Sequence, residues 1–104
     1  MNQTDLAITP MTVQQVGEVV QVHIACFPGF FLTSLGPRFL TLVYSGVLET
    51  SGHLALVASI GSEVTGFVVG VPNQRAFYSG LARRHTIAFA HAAFIPAGLS
   101  SQAW

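Results

Sequence analysis

The sequence predicts a mixed α/β fold of the α+β type, a small and mainly antiparallel sheet packed by helices, and three observations predict it. His53 to Val71, HLALVASIGSEVTGFVVGV, holds two apolar runs on either side of Gly61-Ser62, the pattern of a β-hairpin with a glycine-led turn. With Gly61 and Ser62 as turn residues, Ile60 faces Glu63, Leu56 faces Phe67, Leu54 faces Val69 and Val57 faces Gly66. Leu54, Leu56, Phe67 and Val69 then share one face and Ala55, Val57, Val64 and Val68 the other, so both faces are apolar and helices are expected over both. Finally, two helix-period segments precede the hairpin and one follows it, which gives the order β-α-α-β-β-α.

Leu6 to Thr9 is a short apolar run ended by Pro10, suited to a first strand. Thr12 stands as an N-cap with Gln15 completing a capping box, ahead of Val13, Val16, Val20, Ile24 and Phe27 at helical spacing. Pro28-Gly29 breaks that helix. Residues 28–33 read as a loop bearing two adjacent aromatics, Phe30 and Phe31. The second helix starts near Ser34 or Gly36, takes Pro37 in its first turn, aligns Leu40, Val43, Tyr44, Val47 and Leu48, and is closed by Gly52. After the hairpin, Pro72-Asn73 is a turn and a third helical run begins near Arg75, with the stripe Phe77, Leu81, Ala88 and Ala92, until Pro96. The expected ordered core is about residues 6–95, and 96–104 read as an irregular tail of the same single domain.

Composition narrows the function classes. The chain of 104 residues is 51% hydrophobic and only 8% charged, with four basic residues against four acidic ones. A balanced, sparse charge offers no electrostatic footprint for nucleic acid or an anionic membrane. The longest nearly uncharged stretch, Thr86 to Ala97, is shorter than the roughly 20 residues of a membrane helix and is interrupted by His91. Cys26 is alone and cannot form an internal disulfide, and no basic, then apolar leader opens the sequence, so a cytoplasmic location is expected.

Few constellations carry chemistry. His23 and Cys26, three apart on the first helix, could reach one metal ion, but a zinc site needs three or four ligands and the surrounding sequence supplies no others, so both are expected to pack. His85 and His91, six apart, fall on different parts of a helix circumference and cannot act as a pair. Glu63 beside the turn and Arg83-Arg84 on a polar helix face read as solvated charges. Phe30 and Phe31 are the best binding residues: a loop with two phenylalanines either inserts into the core or lines an apolar pocket.

Taken together, ITPMTVQQVGEVVQVHIACFPGF, FFLTSLGPRFL and LVASIGSEVTGFVVG resemble the GNAT superfamily of acetyl-CoA-dependent N-acetyltransferases. The resemblance covers Leu6 to about Phe94 and is strongest at Val64, Gly66 and Phe67, which match a strand-turn-strand reading Val-x-Gly-Phe. It implies that the loop Phe30 to Thr33 helps wall the acceptor site, that the cofactor is acetyl-CoA, and that the acceptor is a small-molecule or peptide amine. It implies no assignable catalytic base: the usual carboxylate positions lie on strands this chain lacks or fills with Val and Gly. The family's Arg/Gln-x-x-Gly-x-Gly/Ala turn, which cradles the cofactor pyrophosphate, has no counterpart here, nor have the fourth strand and the later helix that often carries a tyrosine acid. The chain therefore resembles the N-terminal part of such an enzyme, a truncation or a fragment inactive by itself. The rival expectation is a non-catalytic interaction module that associates through the exposed edge of strand 64–71, which has no Lys or Pro to discourage pairing.

Overall fold

A computed structural model describes residues 5–87. They form a three-stranded antiparallel sheet, order β1-β2-β3, from Leu6–Pro10 (β1), Leu54–Ile60 (β2) and Glu63–Gly70 (β3). Between β1 and β2 run helices α1 (Val16–Cys26), α2 (Phe31–Ser34) and α3 (Pro37–Glu49), and α4 (Gln74–Arg84) follows β3. This is the α+β architecture and the β-α-α-β-β-α order predicted above, with α2 as one added turn inside the expected loop. The third helical run, expected to continue to Pro96, breaks after Arg84, where His85 leaves helical dihedrals at φ −131° and ψ 50°; Ala88, Phe89, His91 and Ala92, and the tail, lie outside the described residues.

Local chemistry explains the boundaries. Gln15 Oε1 accepts the Thr12 N–H at 2.9 Å, and the chain enters α1 through a 3₁₀ turn at Val13–Gln15. That turn shifts the buried stripe from the expected one: Val16, Val19, Val20 and His23 face the core, Val13 is exposed, and Ile24 and Phe27 lie at its border. Gly36 takes φ 96° at the N-cap of α3, a conformation that favours glycine, and Pro37 follows at the first helical position. Asn73 caps α4 by accepting the Ala76 N–H at 2.9 Å.

The hairpin turns at Gly61, φ 62°, and Ile60 faces Glu63 as expected. Beyond Ser59 and Val64 the register differs. An extra residue, Thr65, bulges out of β3, so Gly66 faces Ala58, Phe67 faces Val57, Val68 faces Leu56 and Val69 faces Ala55. The two-residue alternation restarts after the bulge, which carries Phe67 and Val69 to the face of Val57 and Ala55 and sends Val68 to the face of Leu54 and Leu56.

Burial follows those faces. Ala55, Val57 and Val64 join Val16, Val19, Val20, Leu40, Val43 and Val47 in one core, where α1 lies on β3, α3 on β2, and α4 closes against α3 through Phe77 and Leu81. Helices thus pack on the sheet. On the opposite face, where helices were also expected, Leu6, Ile8, Leu54, Ile60 and Val68 are exposed among the described residues, Ile8 by 65% and Val68 by 49%.

Candidate functional site

The feature of the core that packing alone does not account for is a polar pair under an aromatic cover. His23, on the last turn of α1, is 4% exposed and is the buried polar side chain among the described residues. Its Nδ1 lies 2.7 Å from the hydroxyl of Tyr44, itself buried midway along α3. The helical period puts both on their core faces, and the α1–α3 packing brings them together. The bulge adds the third member: Phe67 stacks on the His23 ring at 6.5 Å and 12°, and meets Tyr44 edge-on at 5.3 Å.

Phe27 and Phe30 extend the cluster to the surface. Phe27 terminates α1 and sets its ring 5.4 Å from His23 edge-on, and the Phe30 ring lies 4.9 Å from that of Phe27. The connecting turn is tied down by Thr33 Oγ1, which donates to the Phe27 carbonyl at 2.6 Å. Phe30 is 59% exposed and Phe31 is half-buried at the start of α2, so the two predicted residues part company. A line of rings therefore runs from exposed Phe30 through Phe27 to buried His23 and Tyr44 and half-buried Phe67.

The electrostatics fix the protonation states. Burial holds the His23 imidazole below its ordinary value, so it is neutral near pH 7. Burial, reinforced by the neighbouring Tyr78 phenol, pushes Tyr44 up to about 12, so it keeps its proton. One hydrogen bond joins the pair, and His23 Nε2, buried, has no partner. That nitrogen retains the capacity for one more hydrogen bond, while at the outer end of the line the exposed Phe30 ring suits an apolar group or a cation lying over its face.

Sequence reasoning placed His23 as a packing residue beside Cys26; in the structure Cys26 is exposed while His23 points inward, so the two diverge. No cluster of three or more metal-ligating side chains occurs among the described residues. Tyr44 is a core position, as its spacing predicts, but its partner is not visible in that spacing, and the bulge puts Phe67 on the face opposite the predicted one. Gly66, isolated inside a strand, was the available signal for the bulge that moved it.

A pyrophosphate does not fit the start of α4. The Asn73 side chain already takes the Ala76 N–H, and Pro72-Asn73-Gln74 contains no glycine to form a nest of amides. No helix among the described residues is long and apolar enough to cross a membrane. Comparison with known proteins gave no matching family model, curated protein or solved structure.

Proposed function

We propose that this chain is the N-terminal, acceptor-side part of a GNAT-type N-acetyltransferase, a cytoplasmic acyltransferase that moves acetyl from acetyl-CoA to a small-molecule or peptide amine and needs further polypeptide to do so. The observation that carries the reading is topological. An antiparallel β1-β2-β3 meander is interrupted between its first two strands by a helical excursion, and among the described residues β3 is left at the edge where a fourth strand would add. The aromatic line at Phe30 and Phe27 supports the acceptor side, since ring faces favour an ammonium or alkyl group. Phe30 is the contact residue of this reading and Phe31 its half-buried support.

The cofactor half is supplied elsewhere in this reading. An anionic pyrophosphate requires several convergent N–H donors, and the capped start of α4 does not offer them. A strand amide that polarises a thioester carbonyl is worth a few kcal/mol in the transition state, commonly about 3, and that strand is also wanting among the described residues. Calorimetry with acetyl-CoA, paired with a thiol-release assay over a panel of amines, tests the proposal. The chain alone should show neither micromolar binding nor turnover, and a separate polypeptide bearing the glycine-rich turn should restore both. Micromolar binding by the chain alone overturns it.

A second reading, an interaction module, draws on the same β3 edge, where no other strand is paired among the described residues. Loss of association on blocking that edge, with no acetyl transfer on complementation, would favour it over the enzyme.

A further inference from the structure

Among the described residues, backbone hydrogen bonding in β3 is one-sided. The Met11 N–H donates to the Ala55 carbonyl at 3.0 Å, so Ala55 turns its amide groups toward β1, and by alternation Leu54, Leu56 and Ala58 turn theirs toward β3. Their partners Gly70, Val68 and Gly66 face β2 in return, which leaves Phe67 and Val69 presenting N–H and C=O groups at the outer edge. Val64 also faces outward, but Glu18 of α1 reaches across to accept its N–H at 3.5 Å. At the other end Pro72 has no N–H to offer. The usable edge is therefore bounded on both sides and centred on Val68.

We propose that this edge pairs with a second copy of the chain, antiparallel about a two-fold axis at Val68. Phe67 then lies opposite Val69 of the other copy and Val69 opposite its Phe67, which closes four backbone hydrogen bonds between groups that all point outward. Charge selects the direction. Glu18 and Glu63 lie at the Val64 end of the edge and Arg75 lies three residues beyond Pro72 at the other end. Antiparallel pairing sets the acidic end of each copy beside the basic end of the other, whereas parallel pairing would set like charges together. Hydrogen-bond parity and charge order are both self-complementary, which is what an identical strand satisfies and an unrelated one need not. The product is a six-stranded sheet in which the two exposed Val68 side chains meet within one merged apolar face. This inference rests on the same β3 edge as the interaction-module reading, a second copy there takes the place of the fourth strand of the acetyltransferase reading, and its test uses no cofactor.

Sedimentation equilibrium of the full chain across the micromolar range should show a monomer–dimer equilibrium. Val69→Pro deletes one outward N–H per copy without removing a bond to β2. Two hydrogen bonds lost from the dimer should weaken association about tenfold, with an unchanged far-ultraviolet circular dichroism spectrum. Independently, in a Cys26→Ser background, Val68→Cys should oxidise to a disulfide-linked dimer, because directly opposed residues in a non-hydrogen-bonded antiparallel pair lie about 4.5 Å apart, within disulfide reach. Ser79→Cys, exposed on α4, should not. A monomer at all concentrations, a dimer indifferent to Val69→Pro, or a dimer dissolved only by Ile8→Asp on the open sheet face each overturns the proposal. Should Val69→Pro fail to fold, the Val68→Cys disulfide decides.

Discussion

Tyr44 and His23 show how much a single hydrogen bond can be asked to do in a small core. The phenol joins the imidazole at Nδ1 while Nε2 is already without a partner, so Tyr44→Phe would strand both ring nitrogens. A buried polar group left unpaired costs about 1–3 kcal/mol. In a chain of this length each kcal/mol lowers the melting temperature by roughly 4–8 °C, a loss that calorimetry would resolve. Converting both residues, His23→Phe with Tyr44→Phe, should recover most of it, because apolar groups of similar shape leave nothing unsatisfied; a double variant as unstable as the single one would assign the cost to packing instead. The same pair sets the pH range of stability. His23 is depressed in the fold, so below its unfolded value of about 6.5 the unfolded chain takes up the proton first and stability falls as pH drops. Tyr44 is raised to about 12, so above its unfolded value of about 10 the unfolded chain loses the proton first and stability falls as pH rises. Denaturation midpoints should therefore be flat between those limits and decline beyond each; Tyr44→Phe should remove the alkaline decline attributable to this group. Helical spacing marks Tyr44 as an inward position, and the lack of further metal ligands marks His23 as a packing residue off the expected stripe, but their contact is a product of α1–α3 packing across 21 residues, which no local pattern encodes.

At the scale of the element, two glycines in helices make opposite forecasts. Gly46 sits where α3 meets α4, and a Cβ there would come within 2.9 Å of Leu81 Cδ1 and 3.3 Å of Phe77 Cε1. Overpacking of this kind costs about 1–3 kcal/mol against a helix-propensity gain of about 1 kcal/mol, so Gly46→Ala should destabilise on balance. Gly17 in α1 has nothing within 4 Å of a built Cβ, so Gly17→Ala should keep the propensity gain and raise the melting temperature. Urea denaturation of the two variants checks the sign of each; equal effects would mean that α4 does not seal against α3. The helices themselves were legible because capping and stop residues coincide with their ends: Pro37 opens α3, Asn73 caps α4, and Pro28-Gly29 follow α1. The phase of α1 was less so, since a 3₁₀ entry has a different period and turns Val13 away from the stripe that begins at Val16. In β3, one bulged residue was enough to exchange the faces of Phe67 and Val68, because side-chain direction has a period of two.

Across the whole molecule, the sheet separates two environments that the composition alone could not tell apart. Val57 and Ile8 are both β-branched, both lie in sheet strands and both come from apolar runs, yet Val57 is sealed between the sheet and the helices while Ile8 is largely exposed on the other face. Substitution by threonine keeps the branch and the strand preference of each, so the difference between them isolates burial. Val57→Thr places a hydroxyl on the core face of β2, on the side of Ala55 and opposite Phe67. Its cost should be about 1–3 kcal/mol. Ile8→Thr removes apolar surface that is already in water, and should change stability by no more than about 0.5 kcal/mol. Because Leu6, Ile8, Leu54, Ile60 and Val68 form one apolar surface on that side, Ile8→Thr should also reduce binding of a hydrophobic dye to the folded chain, whereas Val57→Thr should not reduce it. Chemical denaturation supplies the first comparison and dye titration under native conditions the second. A cost at Ile8 equal to that at Val57 would show that the open face is covered in solution, and would move the boundary of the core from one side of the sheet to both.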